Sequence, residues 1–249
     1  MPAQTIDEVL AQLDVLIEQA KSAHSPLGYF PALYRKVTAG VKQGIERGEF
    51  DDGPRMERLD VIFANRYLAA CEALERGEAP TRCWAVAFDA AGHWRPIVLQ
   101  HLLLGMNAHI NLDLGIAAAQ AAPGSALAAL EPDFNRINVV LASLVGGVRQ
   151  DMEAIWPLLG VLDRAVGGAE DRIANFSMEK ARNAAWTFAN TLATADAAAH
   201  AGLIDGRDAE IALLGRFLWR PGILARLAGL AIRLTERGTI GHKIALVAT

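Results

Sequence analysis

The sequence predicts an all-α fold, a single-domain helical bundle of roughly eight to ten helices. Three observations predict it. Apolar residues recur at three- and four-residue spacing through most of the 249 residues. Alternating β-branched runs are few and no clear hairpin turn is present. No unit of about 20–50 residues repeats, which excludes a solenoid. A hydrophobic share of 52% supplies one sizeable core at this length.

The elements follow in order. Thr5-Ile6-Asp7-Glu8 is a capping box whose hydroxyl and carboxylate satisfy the first free amides. Behind it Ile6, Val9, Leu10, Leu13, Leu16 and Ile17 form one stripe. Ser25-Pro26-Leu27-Gly28 breaks the chain, and Tyr34, Val37, Val41 and Ile45 mark a second helix. After the turn at Asp51-Asp52-Gly53-Pro54 a third helix is expected from Met56 to Arg76, stopped by the segment Gly77 to Pro80. A short apolar segment, Arg82 to Phe88, comes next. Pro96 suits the first turn of a helix covering Ile97 to Leu114, because its missing N–H is harmless there. The alanine-rich tail of that helix ends at Pro123-Gly124-Ser125. Pro132 is expected to start a helix that runs to Met152 through Gly146-Gly147. Ser177 is expected to cap a long helix from Met178 to His200. Helices Asp208 to Trp219 and Gly222 to Arg237 complete the chain.

Composition narrows the function. A net charge of -4 lacks the basic footprint of a general nucleic-acid binder. Two cysteines, Cys71 and Cys83, fit neither a zinc ribbon nor a disulfide framework, which points to a reduced, cytoplasmic setting. The N-terminus has no basic n-region or apolar h-region. No uninterrupted apolar run approaches the ~20 residues that span a bilayer. The expectation is a soluble protein with no integral membrane segment. Residues 216–243 carry five arginines and one lysine against Glu236. A solvated face over the core is the commoner use of such a helix; peripheral contact with an anionic membrane or a partner is the other. Dinucleotide-binding, P-loop, nucleophile-elbow, zincin, EF-hand and di-iron motifs are all absent. Gly146-Gly147 and Gly167-Gly168 read as turn or helix-contact glycines.

The apolar run IVLQHLLLGMNAHINLDL, positions 97–114, carries the functional signal. It holds Gln100, His101, Asn107, His109, Asn111 and Asp113, and an unpaired buried polar group costs roughly 1–3 kcal/mol. At helical pitch His101, Gly105, His109 and Asp113 form one row, with Gln100, Asn107 and Asn111 opposite. Gly105 permits close approach by a helix or ligand. His109 and Asp113, one turn apart, can meet one ion or each other. His101 lies about 12 Å from His109 along the axis, too far for one mononuclear site. Arg66 suits a buried carboxylate, Asp113 or Asp133; Asp60 and Tyr67 share a face of the third helix and stand beside it as support. Tyr34 and Asn138 are further polar candidates, and Arg182 with Trp186 is a stacking or packing pair.

Three readings follow. In the first, an enzyme binds a small, largely apolar molecule between helices. His109 serves as acid/base, Asp113 orients it, and Asn107, Asn111, His101, Arg66, Tyr67 and Asp60 bind substrate in a cyclase- or isomerase-like reaction needing no cofactor. In the second, a divalent metal, zinc above all, sits on His109 and Asp113 with Asp133 or Asp60, for hydrolysis. In the third, the polar helix is a structural network of a non-catalytic binding or scaffold protein. There Asn107 and Asn111 bridge to neighbouring backbone carbonyls and His109 bonds Asp113.

Several segments together resemble a bacterial and fungal family catalogued as domain of unknown function 5995. They are Phe30-Pro31-Ala32-Leu33-Tyr34 with Val37-Thr38, Gly48-Glu49-Phe50-Asp51-Asp52, and the run from Leu59 to Tyr67. The sharpest is the run from His101 to Leu114, with its Asn107-Ala108-His109-Ile110-Asn111 core. Asp133-Phe134 with Ile137-Asn138, and Ala181-Arg182 with Ala184-Ala185-Trp186, complete the set. The resemblance implies an all-helical domain and no particular activity. The H-x-x-x-D spacing is also similar to that of helical zinc phospholipases C and P1-type nucleases. Those enzymes carry more histidines and ligate metal through the mature N-terminus.

Overall fold

The computed structural model describes residues 1–157 and 169–248, and side chains throughout these except at 145 and 169–177. Among the described residues the chain forms helices and no strand. They are α1 (Ile6–Ser22), α2 (Tyr29–Glu46), α3 (Gly53–Glu75), α4 (Arg82–Ala91), α5 (Val98–Ala121), α6 (Leu127–Ile155), α7 (Ala169–Thr194), α8 (Ala197–Trp219), α9 (Ile223–Thr235) and α10 (Ile240–Ala248). The pair Gly167-Gly168 lies outside the described residues.

Local chemistry sets the ends. Thr5 accepts from the Glu8 amide at 3.2 Å, while the Glu8 carboxylate reaches back to the Gln4 amide, one residue beyond the expected box. Asp52 caps α3 through the Arg55 amide at 2.9 Å, with Pro54 in its first turn.

Several boundaries differ from the sequence reading. The apolar segment after Pro80 is a helix, α4. Its first amides, on Arg82 and Cys83, donate to the Asp208 carboxylate of α8 at 2.7 and 2.9 Å. Asp208 thus serves another helix and does not begin its own. Helix α6 starts at Leu127, five residues before Pro132, because Leu127 and Leu130 are buried in the core. That burial outweighs the hydrogen bond Pro132 forfeits inside the helix. Helix α7 runs through position 177 and stops at Thr194, short of His200. Asp196 is extended before α8, and His200 turns back so that its Nε2 donates to the Leu192 carbonyl at 2.8 Å, filling an orphan acceptor. The final helix, α10, is an element the sequence pattern did not mark.

Helix α5 is the axis of the bundle and packs on α2, α3, α4, α7 and α8. At Gly105 α2 packs close on α5: a Cβ there would stand 2.3 Å from the Phe30 ring. At 24 residues α5 is long and apolar enough to cross a membrane by length and composition, and most of it is buried inside the bundle. Helix α10 closes one end against α1, α2 and α6. No residue of α9 is buried.

Candidate functional site

Between Ala108 and Leu114 the backbone of α5 widens into a single π-helical turn, His109–Asp113. Such turns are rare in helices and concentrate at functional sites. Here the widened turn carries the two residues the sequence singled out. His109 is 2% exposed and Asp113 is 1% exposed.

Asp113 is the anchor. Its Oδ1 accepts from Arg66 Nε at 2.7 Å; its Oδ2 accepts from Trp84 Nε1 at 2.8 Å and faces His109 Nδ1 at 3.3 Å. An ionised carboxylate only accepts, so His109 Nδ1 carries the proton and Nε2 is left as a lone-pair acceptor. Burial pushes the His109 imidazole below its ordinary range, against the pull of Asp113 in the other direction. The ring is therefore neutral at neutral pH.

Aromatic rings enclose the imidazole. Phe63 lies parallel to it with centroids 3.5 Å apart, and Tyr34 meets it edge-on at 4.5 Å. Phe30, Trp84 and Tyr67 stand at 5.6, 6.0 and 6.1 Å. Buried His109 Nε2 and Asp60 Oδ2 have no hydrogen-bond partner among the described residues, and the Tyr34 and Thr38 hydroxyls have only each other. Each such group in a native fold calls for an explanation, and clustering sharpens it. Tyr34 and Thr38 are one turn apart on α2. Burial first, and then the neighbouring Asp60 charge, hold the Tyr34 phenol well above its ordinary range. Burial, with Glu57 adding, pushes the Asp60 carboxyl up to about 7.

The opposite face of α5 does different work. Asn107 Nδ2 donates to the Ile211 carbonyl at 3.0 Å, Asn111 Nδ2 donates to Asn107 Oδ1, and Arg207 Nε donates to the Asn111 carbonyl. Gln100 Nε2 donates to the Leu218 carbonyl at 3.0 Å. The Gln100 and Asn107 side chains hold α8 directly; Asn111 braces Asn107 with its side chain and meets α8 through its backbone carbonyl. The structure therefore brings His109, Asp113, Arg66 and Tyr67 together, with Asp60 set next to Tyr34, whose phenol its charge reaches, and turns Asn107 and Asn111 away. His101 stands apart, tilted on the Tyr29 ring at 5.6 Å. Asp133 is elsewhere too. It binds the Asp51 and Asp52 amides at 2.7 and 3.0 Å, with Arg55 and Arg136 beside it. Among the described residues no three His, Cys, Asp or Glu side chains stand together as ligands for an ion. Both cysteines are free.

Trp84 and Phe63 are the site members that sequence reasoning missed. Trp84 sat in a segment too short and apolar to stand out, and a ring's role as a cover over His109 has no signature along the chain. Asn138 proves to be the acceptor for Arg182 Nε at 2.6 Å, and the Arg182 guanidinium lies 4.3 Å over the Phe134 ring, with Trp186 behind it.

No curated protein and no solved structure matches the chain. The model of a family of unknown function (DUF5995) matches residues 6–221, and the chain belongs to that family.

Proposed function

We propose that this family member is an enzyme of the acid/base type, acting on a small, largely apolar molecule held between α2, α3 and α5. One observation carries the reading: a neutral, fully enclosed imidazole with Nδ1 fixed by a carboxylate and Nε2 left without a partner. That is the arrangement of a general base. Asp60 supplies the complement. A carboxyl group pushed up to about 7 keeps its proton where an ordinary aspartate has lost it. Two titratable groups driven in opposite directions in one region are the signature of paired base and acid. In this scheme His109 removes a proton and Asp60 returns one, which is isomerase-like chemistry. Asp113 positions the imidazole, and Arg66 and Trp84 hold Asp113. Tyr34 and Thr38 offer hydroxyl groups to a substrate oxygen. Entry requires Phe63 to swing off the imidazole; Phe63 is half-buried and Arg66 beside it reaches solvent.

The test is hydrogen–deuterium exchange at carbon. Small apolar ketones such as cyclohexanone and α-tetralone, incubated with the protein in heavy water, gain deuterium beside the carbonyl if His109 acts as a base. The wild type is expected to accelerate exchange, His109→Gln to abolish it, and Asn111→Ala to leave it unchanged. Exchange no faster than in buffer, together with a His109→Phe variant that melts at or above the wild type, overturns the proposal. It would leave the structural reading, which the clamp of Gln100, Asn107 and Asn111 on α8 favours.

We also propose that α9 and the end of α8 lie on an anionic membrane surface. Ile223, Leu224, Leu227 and Leu234 are 60% to 83% exposed, and Leu213, Leu214 and Phe217 of α8 are exposed beside them. From Leu213 to Thr235 the chain has four arginines and no acidic residue. An exposed apolar face with a cationic border fits an interfacial helix. The same arginines disfavour a second copy of the face as its cover, since like charges would meet.

A further inference from the structure

A second buried imidazole faces a cavity far from the first. His101 is 8% exposed, its ring lies tilted on Tyr29, and its ring nitrogens make no hydrogen bond among the described residues. It borders a cavity of about 200 Å³ at the N-terminal end of α5, together with Tyr29, Trp94, Pro96 and Arg233. That volume is below the roughly 300–1,000 Å³ of pockets for drug-sized ligands, so the occupant is small.

The charge around this cavity is unbalanced. Glu236 accepts three donors: the Val98 amide at 2.8 Å, Arg233 Nη1 at 2.8 Å and Lys243 Nζ at 2.9 Å. Glu236 and Lys243 are each 3% exposed at the side chain. Two cations thus share one carboxylate, leaving one positive charge in excess beside the first turn of a long helix, where the backbone itself favours an anion. Arg233 Nε donates to the Trp94 carbonyl, which fixes the guanidinium at the cavity wall, with no hydrogen bond to Nη2 among the described residues. Arg233 and Lys243 both act on the His101 ring, and with burial they hold it neutral, so it offers one N–H.

We infer that this cavity is a binding site for a small monocarboxylate with a flat apolar body. The carboxylate meets Arg233 Nη2 and the His101 N–H, and the body lies against Tyr29, Trp94 and Pro96. A phosphate dianion fits worse: one net positive charge does not balance it, and Pro26, Val98 and Ile240 give the walls an apolar character. The site stands apart from the His109 cluster, about 12 Å along the same helix, and does not depend on the chemistry proposed there.

Benzoate is the probe, with benzamide as its neutral isostere and inorganic phosphate as an anion without an apolar body. Binding to the full chain is read by NMR of the histidine rings and by calorimetry. Benzoate is expected to saturate one site, move the His101 resonances and leave those of His109 in place. Benzamide and phosphate are each expected to bind at least about ten-fold more weakly, as is benzoate to the Arg233→Gln variant. Because Arg233 also braces Glu236, Trp94→Ala at the exposed rim is the second variant, expected to weaken benzoate without lowering the melting temperature. Equal affinity for benzamide or phosphate overturns the inference. So does benzoate binding with His101 unmoved, or no saturation up to about 10 mM, beyond the range expected of so small a ligand.

Discussion

At the residue scale, Asp60 carries the clearest conflict between stability and chemistry. Its buried Oδ2 has no partner and its carboxyl is pushed up to about 7. In the unfolded chain the same group ionises near its ordinary value of 3.8. An acid whose folded pKa is raised stabilises the fold fully below the unfolded value. That contribution is lost as pH rises through the folded value. Asp60→Asn removes the burden of a buried charge. Urea denaturation is expected to show the variant about 3 kcal/mol more stabilised near pH 8 than near pH 5, from a two-unit difference at about 1.4 kcal/mol each. An equal effect at both pH values would show that Asp60 has an ordinary pKa in the fold. The sequence placed Asp60 near the site through a shared helical face with Tyr67, yet nothing along the chain signals that its neighbours leave it unpaired. His109 and Asp113 were legible because their spacing and their apolar surroundings occur together. The acceptor at Nε2 was not, since it depends on which rings three other helices bring up.

At the element scale, α5 shows what spacing reveals and what it hides. Helical periodicity put Gln100, Asn107 and Asn111 on one face and the histidine row on the other, and the two faces do meet different helices. The pattern could not show that the first face clamps α8 by bonds to backbone carbonyls, because carbonyls have no residue type. Nor could it show the π-helical turn, which leaves hydrophobic spacing nearly intact. Gly105 is a test of how closely α5 and α2 fit. Replacing glycine by alanine in a helix gains up to about 1 kcal/mol where space is open. A Cβ at Gly105 would overlap the buried Phe30 ring, and overpacking costs about 1–3 kcal/mol. Gly105→Ala is therefore expected to destabilise by about 1–2 kcal/mol, while Gly202→Ala on α8, with nothing within 4 Å, is expected to stabilise. A neutral or stabilising Gly105→Ala, in the same thermal melts, would mean that α2 yields easily. Helix α9 makes the other element-scale prediction. Three exposed arginines, Arg216 and Arg220 at the end of α8 and Arg226 on α9, at about 1 kcal/mol each near an anionic surface, predict about 100-fold tighter binding to phosphatidylserine-containing vesicles than to neutral ones. The double substitution Leu224→Glu and Leu227→Glu should abolish sedimentation with vesicles while leaving the melting temperature unchanged. Equal binding to both vesicle types would exclude an electrostatic surface contact.

For the whole molecule, buried titratable groups set opposing dependences on pH. His101 is held down to about 4 by burial first, and then by Arg233 and Lys243; His109 is also lowered, by burial. A base whose folded pKa is depressed stabilises the fold above its unfolded value near 6.5. That contribution is lost as pH falls through the folded value. For His101 the window runs from 6.5 down to about 4 and amounts to about 3 kcal/mol. Asp60 runs the other way across nearly the same window, gaining stability as pH falls from about 7 toward 3.8. The two contributions are similar in size and opposite in sign. Asp60 therefore offsets about one histidine, and the wild type is expected to show a shallower dependence of unfolding free energy between pH 7 and pH 4.5 than a variant without Asp60, His109 adding to the histidine side. Asp60→Asn removes one arm of the balance and should expose the histidine slope, with stability falling steadily over that range. Removing His101 as well, as His101→Phe at a position whose ring already lies on Tyr29, should then cut that slope to the part His109 contributes. Denaturant midpoints for the wild type, Asp60→Asn and the double variant, measured at several pH values, decide the matter. A single variant as flat as the wild type would show that the buried imidazoles keep ordinary pKa values, and with that the neutral His109 on which the base chemistry rests would lose its support.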